Sequence, residues 1–469
     1  MQTKEGVYCY PGQEETIVAV ATPPGTGSIA LVRLSGRMSL SLLEKMFLHS
    51  RGRSSEDWPS HTARHGQLLD AEGRIVDDVL VTLMRAPHSY TGENVVEIGC
   101  HGGPVAARFV VEACVRGGAR LAQPGEFTKR AFLNGRMDLA QAEAVADVIC
   151  ARTQAALRAG SRQLNGELSR QLEFVREAVM ESLVGVEALL NFPEDATDKG
   201  QVRQLTDSLQ QAIRRVNELL STAQAGCVLR EGLRVVIAGK PNVGKSSLLN
   251  AFLRQERAIV TDIAGTTRDV LEETADVAGF PVSFLDTAGI LVPRDAVEEK
   301  AVQRSRHSIE NADMVILVLD ASRPLEAEDR ELMSTPRGGR PWLVVLNKAD
   351  LPRKVEPLEV SGYMPGCRVL TVSLLTREGF AQLERAVAES VGGGAVIENG
   401  ALVTHLRHVE ALDRARELLE RAAALDSGTP LEMAAEDMKL AVRELDRVTG
   451  KDFDADLVER IFSGFCIGK

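Results

Sequence analysis

Two glycines, a lysine and a hydroxyl fall at phosphate-cradling spacing in Gly-Lys-Pro-Asn-Val-Gly-Lys-Ser, Gly239 to Ser246. Gly239 and Gly244 permit a tight loop whose backbone amides point at phosphate oxygens, drawing in Asn242, Val243 and, at the following helix start, Ser247. Lys245 supplies a cation for the β- and γ-phosphates and is assigned as catalytic as well as nucleotide-binding. Ser246 supplies a hydroxyl for Mg²⁺. Further on, Asp286-Thr287-Ala288-Gly289 closes an apolar run. Asp286 can hold Mg²⁺ through water, and the Gly289 amide can sense the γ-phosphate. Asn347-Lys348-Ala349-Asp350 reads a base. The Asp350 carboxylate can accept two hydrogen bonds from a guanine edge, whereas adenine leaves it unpaired. Lys348 packs over the base and Asn347 braces the loop. Ser373-Leu374-Leu375 falls where a last base-contacting turn belongs, and the bulk of Leu374 leaves that contact to backbone groups.

Ile290 follows Asp-Thr-Ala-Gly, where Ras-like proteins carry a water-orienting Gln. An apolar side chain cannot orient water, so help with hydrolysis must come from elsewhere. Asn242 and carbonyls of the segment Thr261-Asp262-Ile263-Ala264-Gly265-Thr266-Thr267-Arg268-Asp269 offer a seat for a monovalent cation beside the phosphates. Such a cation neutralises developing charge as an arginine finger does.

A phosphate loop must follow a strand and open a helix. Arg234–Ala238 and Ser247–Leu253 read that way. Further buried-strand runs at Val282–Leu285, Met314–Leu319, Trp342–Leu346 and Arg368–Val372 alternate with helical patterns, which predicts a mainly parallel sheet up to about Val391. Gly392-Gly393-Gly394 reads as a linker. Upstream, Thr16–Thr22, Ser28–Leu34, Asp78–Met84 and Asn94–Ile98 are short β-branched runs of a mixed α/β region ending near Arg136. Ser50–His65 reads as a solvated loop. Asp138 to about Leu190 is helical by the spacing of Leu172, Val175, Val179, Leu183 and Val186, and Asn191-Phe192-Pro193 stops it. A helix over Val202–Ala223 is predicted to end before Gly226. Helices return at Leu406, Val409, Leu412, Leu418 and Leu419, and again at Met438, Val442, Leu445 and Val448. Gly450 is a predicted C-terminal cap and Asp454 an N-cap. The expected architecture is multidomain, α/β plus all-α. It comprises an N-terminal α/β domain (1–136), a helical domain in two parts (137–231 and 395–469) and an inserted Ras-like P-loop G domain (232–394). Insertion suits domain ends that lie close together at a surface.

The chain has 469 residues, 44% hydrophobic, with net charge −11. That length suggests about three domains. No apolar run approaches the roughly 20 residues of a membrane helix, and the start lacks a basic-then-apolar signal pattern, so a cytoplasmic location is expected. Seven scattered cysteines without a Cys-x-x-Cys indicate neither zinc site nor disulfide framework. His405 and His408 are expected as solvated helix-start residues. An acidic chain binds RNA through a local basic patch or a partner, and no block of Lys and Arg stands out.

With these motifs, Ala21-Thr22-Pro23-Pro24-Gly25, His101-Gly102-Gly103-Pro104, Pro124-Gly125-Glu126-Phe127, Arg130-Ala131-Phe132-Leu133-Asn134 and the final Phe465-Cys466-Ile467-Gly468-Lys469 resemble the tRNA-modifying GTPases of the MnmE (TrmE) family. The resemblance runs from about Thr16 to Lys469. It implies K⁺ at Asn242, Thr261, Ile263 (by its carbonyl) and Thr266, and Mg²⁺ at Ser246 and Thr267. It implies that Glu298 positions the attacking water through intervening water; on its own residues, Glu298 reads as a solvated carboxylate in Asp-Ala-Val-Glu-Glu. The family's N-terminal domain is similar to folate-binding domains of aminomethyltransferases, and the resemblance implies that it serves dimerisation. Arg33, Glu97 and Arg136 fall at its tetrahydrofolate pocket, with Lys469 joining through the tail. On their own, Arg33 and Glu97 are lone charges in apolar strands, at a solvated face or in a pocket. Cys466 is fourth from the end, where a prenylation signal places its cysteine, but the terminal Lys and the missing polybasic stretch fit that signal poorly. The resemblance implies a catalytic role for Cys466 near the folate, and a buried thiol explains it as well.

The resemblance implies a homodimer that hydrolyses GTP with K⁺ stimulation coupled to G-domain dimerisation. It implies an MnmG (GidA)-type flavoprotein partner, in a heterotetramer or larger assembly. Together they add a carboxymethylaminomethyl-type group at C5 of the wobble uridine of certain tRNAs. FAD belongs to the partner, and a 5-formyl or methylene tetrahydrofolate supplies the bridging carbon. Two other readings stand: a ribosome-assembly switch of Era or Der type, which should carry a second cassette or basic tail, and a stand-alone folate-dependent aminomethyltransferase with a regulatory GTPase.

Overall fold

The computed structural model describes residues 14–49, 58–191, 199–253, 273–285, 312–392, 400–424 and 430–469. Gly12 and an antiparallel pair of two-residue strands, β1 (Thr3–Lys4) and β2 (Val7–Tyr8), are also described. Contacts divide the chain into two units, one of Met1–Ala146 with Leu445–Lys469 and one of Asp147–Glu444.

The first unit is built on a seven-stranded sheet. Its chain order is β3 (Ile17–Val20), β4 (Ile29–Ser35), α1 (Ser39–Met46), β5 (Phe47–His49), β6 (Thr62–Leu69), β7 (Ile75–Met84), β8 (Val95–His101), α2 (Pro104–Arg116), β9 (Arg120–Leu121), α3 (Glu126–Leu133) and the start of α4 (Leu139–Cys150). The spatial order is β5-β6-β7-β8-β4-β3-β9, antiparallel except where β9 joins β3. Strand alternation sends Val32, Leu34, Val96, Ile98 and Cys100 into a core shared with Leu42, Leu43, Val110 and Cys114. The same alternation leaves Arg33 and Glu97 opposite one another on the other face. The segment expected as a loop up to His65 is strand from Thr62 onward.

A second cluster joins Phe132, Leu133, Leu139 and Ala142 to Val458 and Phe462 of the helix Ala455–Ser463. Gly450 is left-handed at φ +76°, and a Cβ there would stand 2.7 Å from that of Leu139. Asp454 caps the last helix by accepting a hydrogen bond from the Asp456 amide at 3.1 Å. Arg130 on α3 is fully buried. It donates to Glu93 at 3.0 Å, to Glu126 at 3.1 Å and to the Glu15 carbonyl at 2.9 Å.

The second unit carries α5 (Gln154–Leu164), α6 (Glu167–Asn191), α7 (Lys199–Ser221), α8 (Ala223–Glu231), β10 (Leu233–Ala238), α9 (Lys245–Leu253), β11 (Glu273–Val277), β12 (Phe280–Leu285), β13 (Met314–Asp320), α10 (Ala327–Met333), β14 (Trp342–Asn347), α11 (Pro357–Tyr363), β15 (Arg368–Thr371), α12 (Phe380–Ser390), α13 (Leu406–Ala422) and most of α14 (Leu431–Thr449). Its sheet order is β11-β12-β10-β13-β14-β15, parallel apart from the edge strand β11. Strands buried on both faces read as continuous apolar runs, as Met314–Leu319 does.

The helical stretch predicted as one run is three helices. Thr153 caps α5 by accepting from the Ala156 amide, and the left-handed Gly166 separates α5 from α6. Gly226 does not stop a helix but lies inside α8, because a Cβ there would come within 2.2 Å of the Val403 carbonyl. His405 and His408 are buried rather than solvated, and His405 Nε2 lies 3.0 Å from Asp147. Gly393 and Gly394 of the predicted linker lie outside the described residues. No described helix is long and apolar enough to cross a membrane.

Candidate functional site

β10 delivers the chain into the phosphate loop, and α9 begins at Lys245. The loop needs its glycines. Gly239 has φ +144°, and a Cβ would sit 2.4 Å from the Val318 carbonyl. Gly244 has φ +109°, and a Cβ would strike Asn347 Nδ2 at 2.2 Å. Asn242 also adopts a left-handed φ of 65°, which Asn tolerates better than most residues. Val243 is buried in the core below, and Ser246 is half-buried beside the exposed Ser247. The Lys245 ammonium folds back on the loop, donating to the carbonyls of Gly239 at 2.8 Å and Lys240 at 2.7 Å. Burial pushes its pKa below the ordinary lysine value. A glycine-braced loop around a lysine is a cradle that fits nucleotide phosphates.

The base-reading turn is bonded to that cradle. Asn347 is buried at the end of β14 and donates from Nδ2 to the Val243 carbonyl at 2.8 Å. Its Oδ1 accepts from the Leu374 amide at 3.3 Å. Ser373 Oγ donates to Asp350 Oδ1 at 2.6 Å, and Ala349 N donates to the Val372 carbonyl. Leu375 is largely exposed. Lys348 has φ 66°, and its ammonium donates to Asp320 Oδ2 at 2.6 Å. Sequence reasoning missed Asp320. Its only signal is an acidic residue ending an apolar strand, here directly beside Asn347 in the parallel register. It also missed Asp329, which with Glu326 at the start of α10 holds Lys240 of the phosphate loop at 2.7 and 2.6 Å.

Thr261, Asp262, Ile263, Ala264, Gly265, Thr266, Thr267, Asp286, Thr287, Ala288, Gly289 and Glu298 lie outside the described residues. Of the expected cation ligands, Asn242 and Ser246 are therefore the described ones.

A separate cluster occupies the first unit. Arg33 meets Glu97 at 2.7 Å and donates from Nη1 to the Gly468 carbonyl at 3.3 Å. Its guanidinium lies over the rings of Tyr90 and Phe127. Burial raises the Tyr90 hydroxyl's pKa, and that hydroxyl shares a hydrogen bond with Thr128 at 2.8 Å. The backbone oxygen of Lys469 accepts from the Phe127 amide at the start of α3, and that of Cys466 accepts from the Gly125 amide. Gly468 packs so closely that a Cβ would lie 2.4 Å from the Val20 carbonyl. Burial lowers the pKa of the Lys469 ammonium, as does Arg33, while Glu97 opposes the shift. Cys466 itself is exposed. Arg136 reaches the Ser89 carbonyl at 2.9 Å instead of joining the Arg33–Glu97 pair. The cluster thus places an ion pair beside two aromatic rings.

A mainly parallel sheet, a glycine-braced phosphate loop and an Asn-Lys-Ala-Asp turn bonded to it define a P-loop G domain. A family model for "GTP-binding protein TrmE N-terminus" matches residues 16–136, and one for "MnmE helical domain" matches residues 139–466. A "tRNA modification GTPase MnmE" from Geobacillus kaustophilus is 43% identical over 97% of this chain and 99% of its own. One so named from Lactiplantibacillus plantarum is 42% identical over 97% and 98%. Among solved structures, Aquifex aeolicus Era is 26% identical over 40% of this chain and 67% of its own, with a TM-score of 0.27. The chain belongs to the MnmE family.

Proposed function

We propose that this protein hydrolyses GTP in the modification of tRNA. The observation that carries the reading is the Asn347 amide, which donates to the phosphate loop at Val243 and so makes base recognition and phosphate binding one element. The curated relatives, which match over 97% of the chain, support the tRNA part. In this reading residues 232–394 are the G domain, inserted between helical parts 137–231 and 395–469, with 1–136 as the folate-binding and dimerising domain. Lys245, Ser246, Ser247 and the amides from Asn242 to Gly244 hold the phosphates. Asp350, Lys348, Asn347, Ala349 and the turn at Ser373 to Leu375 hold the base. Thr261 to Thr267 and Asp286 to Gly289 complete the pocket, and Glu298 orients the attacking water.

Mg²⁺ at Ser246 and Thr267, and K⁺ at Asn242, Thr261, Ile263 and Thr266, supply positive charge for the phosphates when bound. K⁺ then replaces the charge an arginine finger contributes elsewhere. Hydrolysis should therefore run well over tenfold faster in K⁺ than in Na⁺ at equal ionic strength, read by phosphate release. Equal rates would remove the cation from the scheme.

We place the carbon chemistry at Arg33, Glu97, Arg136 and Lys469 with a tetrahydrofolate derivative, and give Cys466 a catalytic part. The reading includes a cytoplasmic homodimer and an MnmG (GidA)-type flavoprotein carrying FAD. The product is a carboxymethylaminomethyl-type group at C5 of the wobble uridine. Mass spectrometry of wobble nucleosides from cells with and without the gene tests this directly; identical nucleoside profiles would overturn it.

Base choice is testable at one atom. Exchanging the Asp350 carboxylate for an amide gives the turn a donor where guanine also donates. Asp350→Asn should cost GTP about 100-fold in affinity and gain xanthosine triphosphate, in a competition titration. A retained preference for guanine would move base recognition off Asp350.

A further inference from the structure

At the opposite end of the G-domain strands lies a cavity of about 340 Å³. Trp342 and Arg368, the first residues of β14 and β15, line it together with Arg337 and Arg340. Asn347 is the last residue of β14, so the cavity lies roughly 17 Å from the base-reading turn. The two arginines come from Pro336-Arg337-Gly338-Gly339-Arg340-Pro341. Gly338 and Gly339 have φ of 57° and 78°, and Arg340 N donates to the Arg337 carbonyl at 3.0 Å. That is a tight turn with both central residues left-handed, which brings its first and last residues together. Two guanidinium-bearing residues are thus held side by side by backbone that only glycine adopts without strain.

The wall is built to keep its charge. Arg368 is ion-paired with Glu389. Arg337 donates from Nη1 to the Pro365 carbonyl at 2.8 Å and to Cys367 Sγ at 3.2 Å, leaving the rest of its five-donor fork. Burial pushes the Cys367 thiol up, so it stays neutral and adds no negative charge. The lining carries three arginines and one glutamate. Trp342 lines the same cavity and is only 5% exposed.

We propose that this cavity is a second anion site, separate from the phosphate loop, for a compact phosphate-bearing ligand such as a pyrophosphate or a nucleotide. The volume favours a small free ligand, because pockets of about 300–1,000 Å³ are of the size that small ligands occupy. A phosphodiester on an RNA surface offers the same chemistry and needs no enclosure.

Trp58 and Trp342 are the only tryptophans of the chain, so Trp58→Phe leaves Trp342 as the sole emitter. The full-length Trp58→Phe protein, with GDP and excess Mg²⁺ present, is titrated with inorganic pyrophosphate and separately with a tRNA transcript. Saturable change in Trp342 emission below about 10 mM pyrophosphate is expected. Adding Arg337→Gln with Arg340→Gln should weaken it at least about tenfold while GDP affinity stays the same. A response to tRNA alone that depends on the same arginines would assign the phosphate to RNA. No saturable response to either, or one equal with and without the arginines, overturns the site. GDP affinity is read in the same samples, so a failure of GTP binding is seen apart from a failure of this cavity.

Discussion

Lys245→Ala is expected to lower GTP affinity about 100-fold or more, roughly 3 kcal/mol. The native ammonium already sits over the loop, held by the carbonyls of Gly239 and Lys240. Phosphate oxygens carry full charge, so the exchange of carbonyl for phosphate is strongly favourable, and burial keeps water from competing. Alanine leaves the loop backbone in place, so thermal stability without nucleotide should hardly move. Equilibrium titration with a fluorescent GDP analogue measures the loss. A change under threefold would show that the backbone amides alone bind the phosphates.

Arg130→Ala should cost the first unit about 3–5 kcal/mol, among the largest effects any single change can have here. The side chain is fully buried, and its removal leaves Glu93 and Glu126 without their inner cation. Glu93 also accepts from Ser35, which shares a 2.6 Å hydrogen bond with Thr91, so the loss spreads into β4 and the turn after β7. Urea unfolding followed by Trp58 emission in a Trp342→Phe background reads this unit. Acid sharpens the test. Burial pushes the Glu126 carboxyl up, but hydrogen bonds from Arg120 and the Gln123 amide, with Arg130 nearby, hold it below its ordinary value of 4.5. A carboxyl lowered on folding stabilises above its unfolded value and loses that contribution as pH falls through the folded one. Acid destabilisation below about pH 4.5 should therefore be shallower in Arg130→Ala than in the parent. A parallel pH profile would place the cost in packing alone.

How much of this was legible in the sequence depends on where the cause lies. The phosphate loop and the Asn-Lys-Ala-Asp turn were plain because their residues answer to local backbone and to the ligand. Asp454 was readable as a cap for the same reason. Gly226 misled because its role is a close approach by Val403, far away in sequence. The burial of His405 is not legible locally because its partner Asp147 is likewise far away in sequence. Asp320 and Asp329 were invisible as braces, since nothing near them in sequence marks the lysines they hold. Arg33 and Glu97 were ambiguous singly, and only the antiparallel register made them a pair. The edge strand β11 carries little strand signal because Glu273–Val277 mixes charges with apolar residues, as an edge strand permits.

The way the first unit is assembled has a bearing on its birth. Phe132, Leu133 and Leu139 share a core with Val458 and Phe462. A ribosome adding about 5–20 residues per second needs roughly 15 to 60 seconds between making the two halves of that core. Throughout that interval α3 and the start of α4 wait with apolar surface uncovered. Chaperone dependence during synthesis should therefore track the first segment of the chain, and slowed elongation should harm it more than the nucleotide-binding segment.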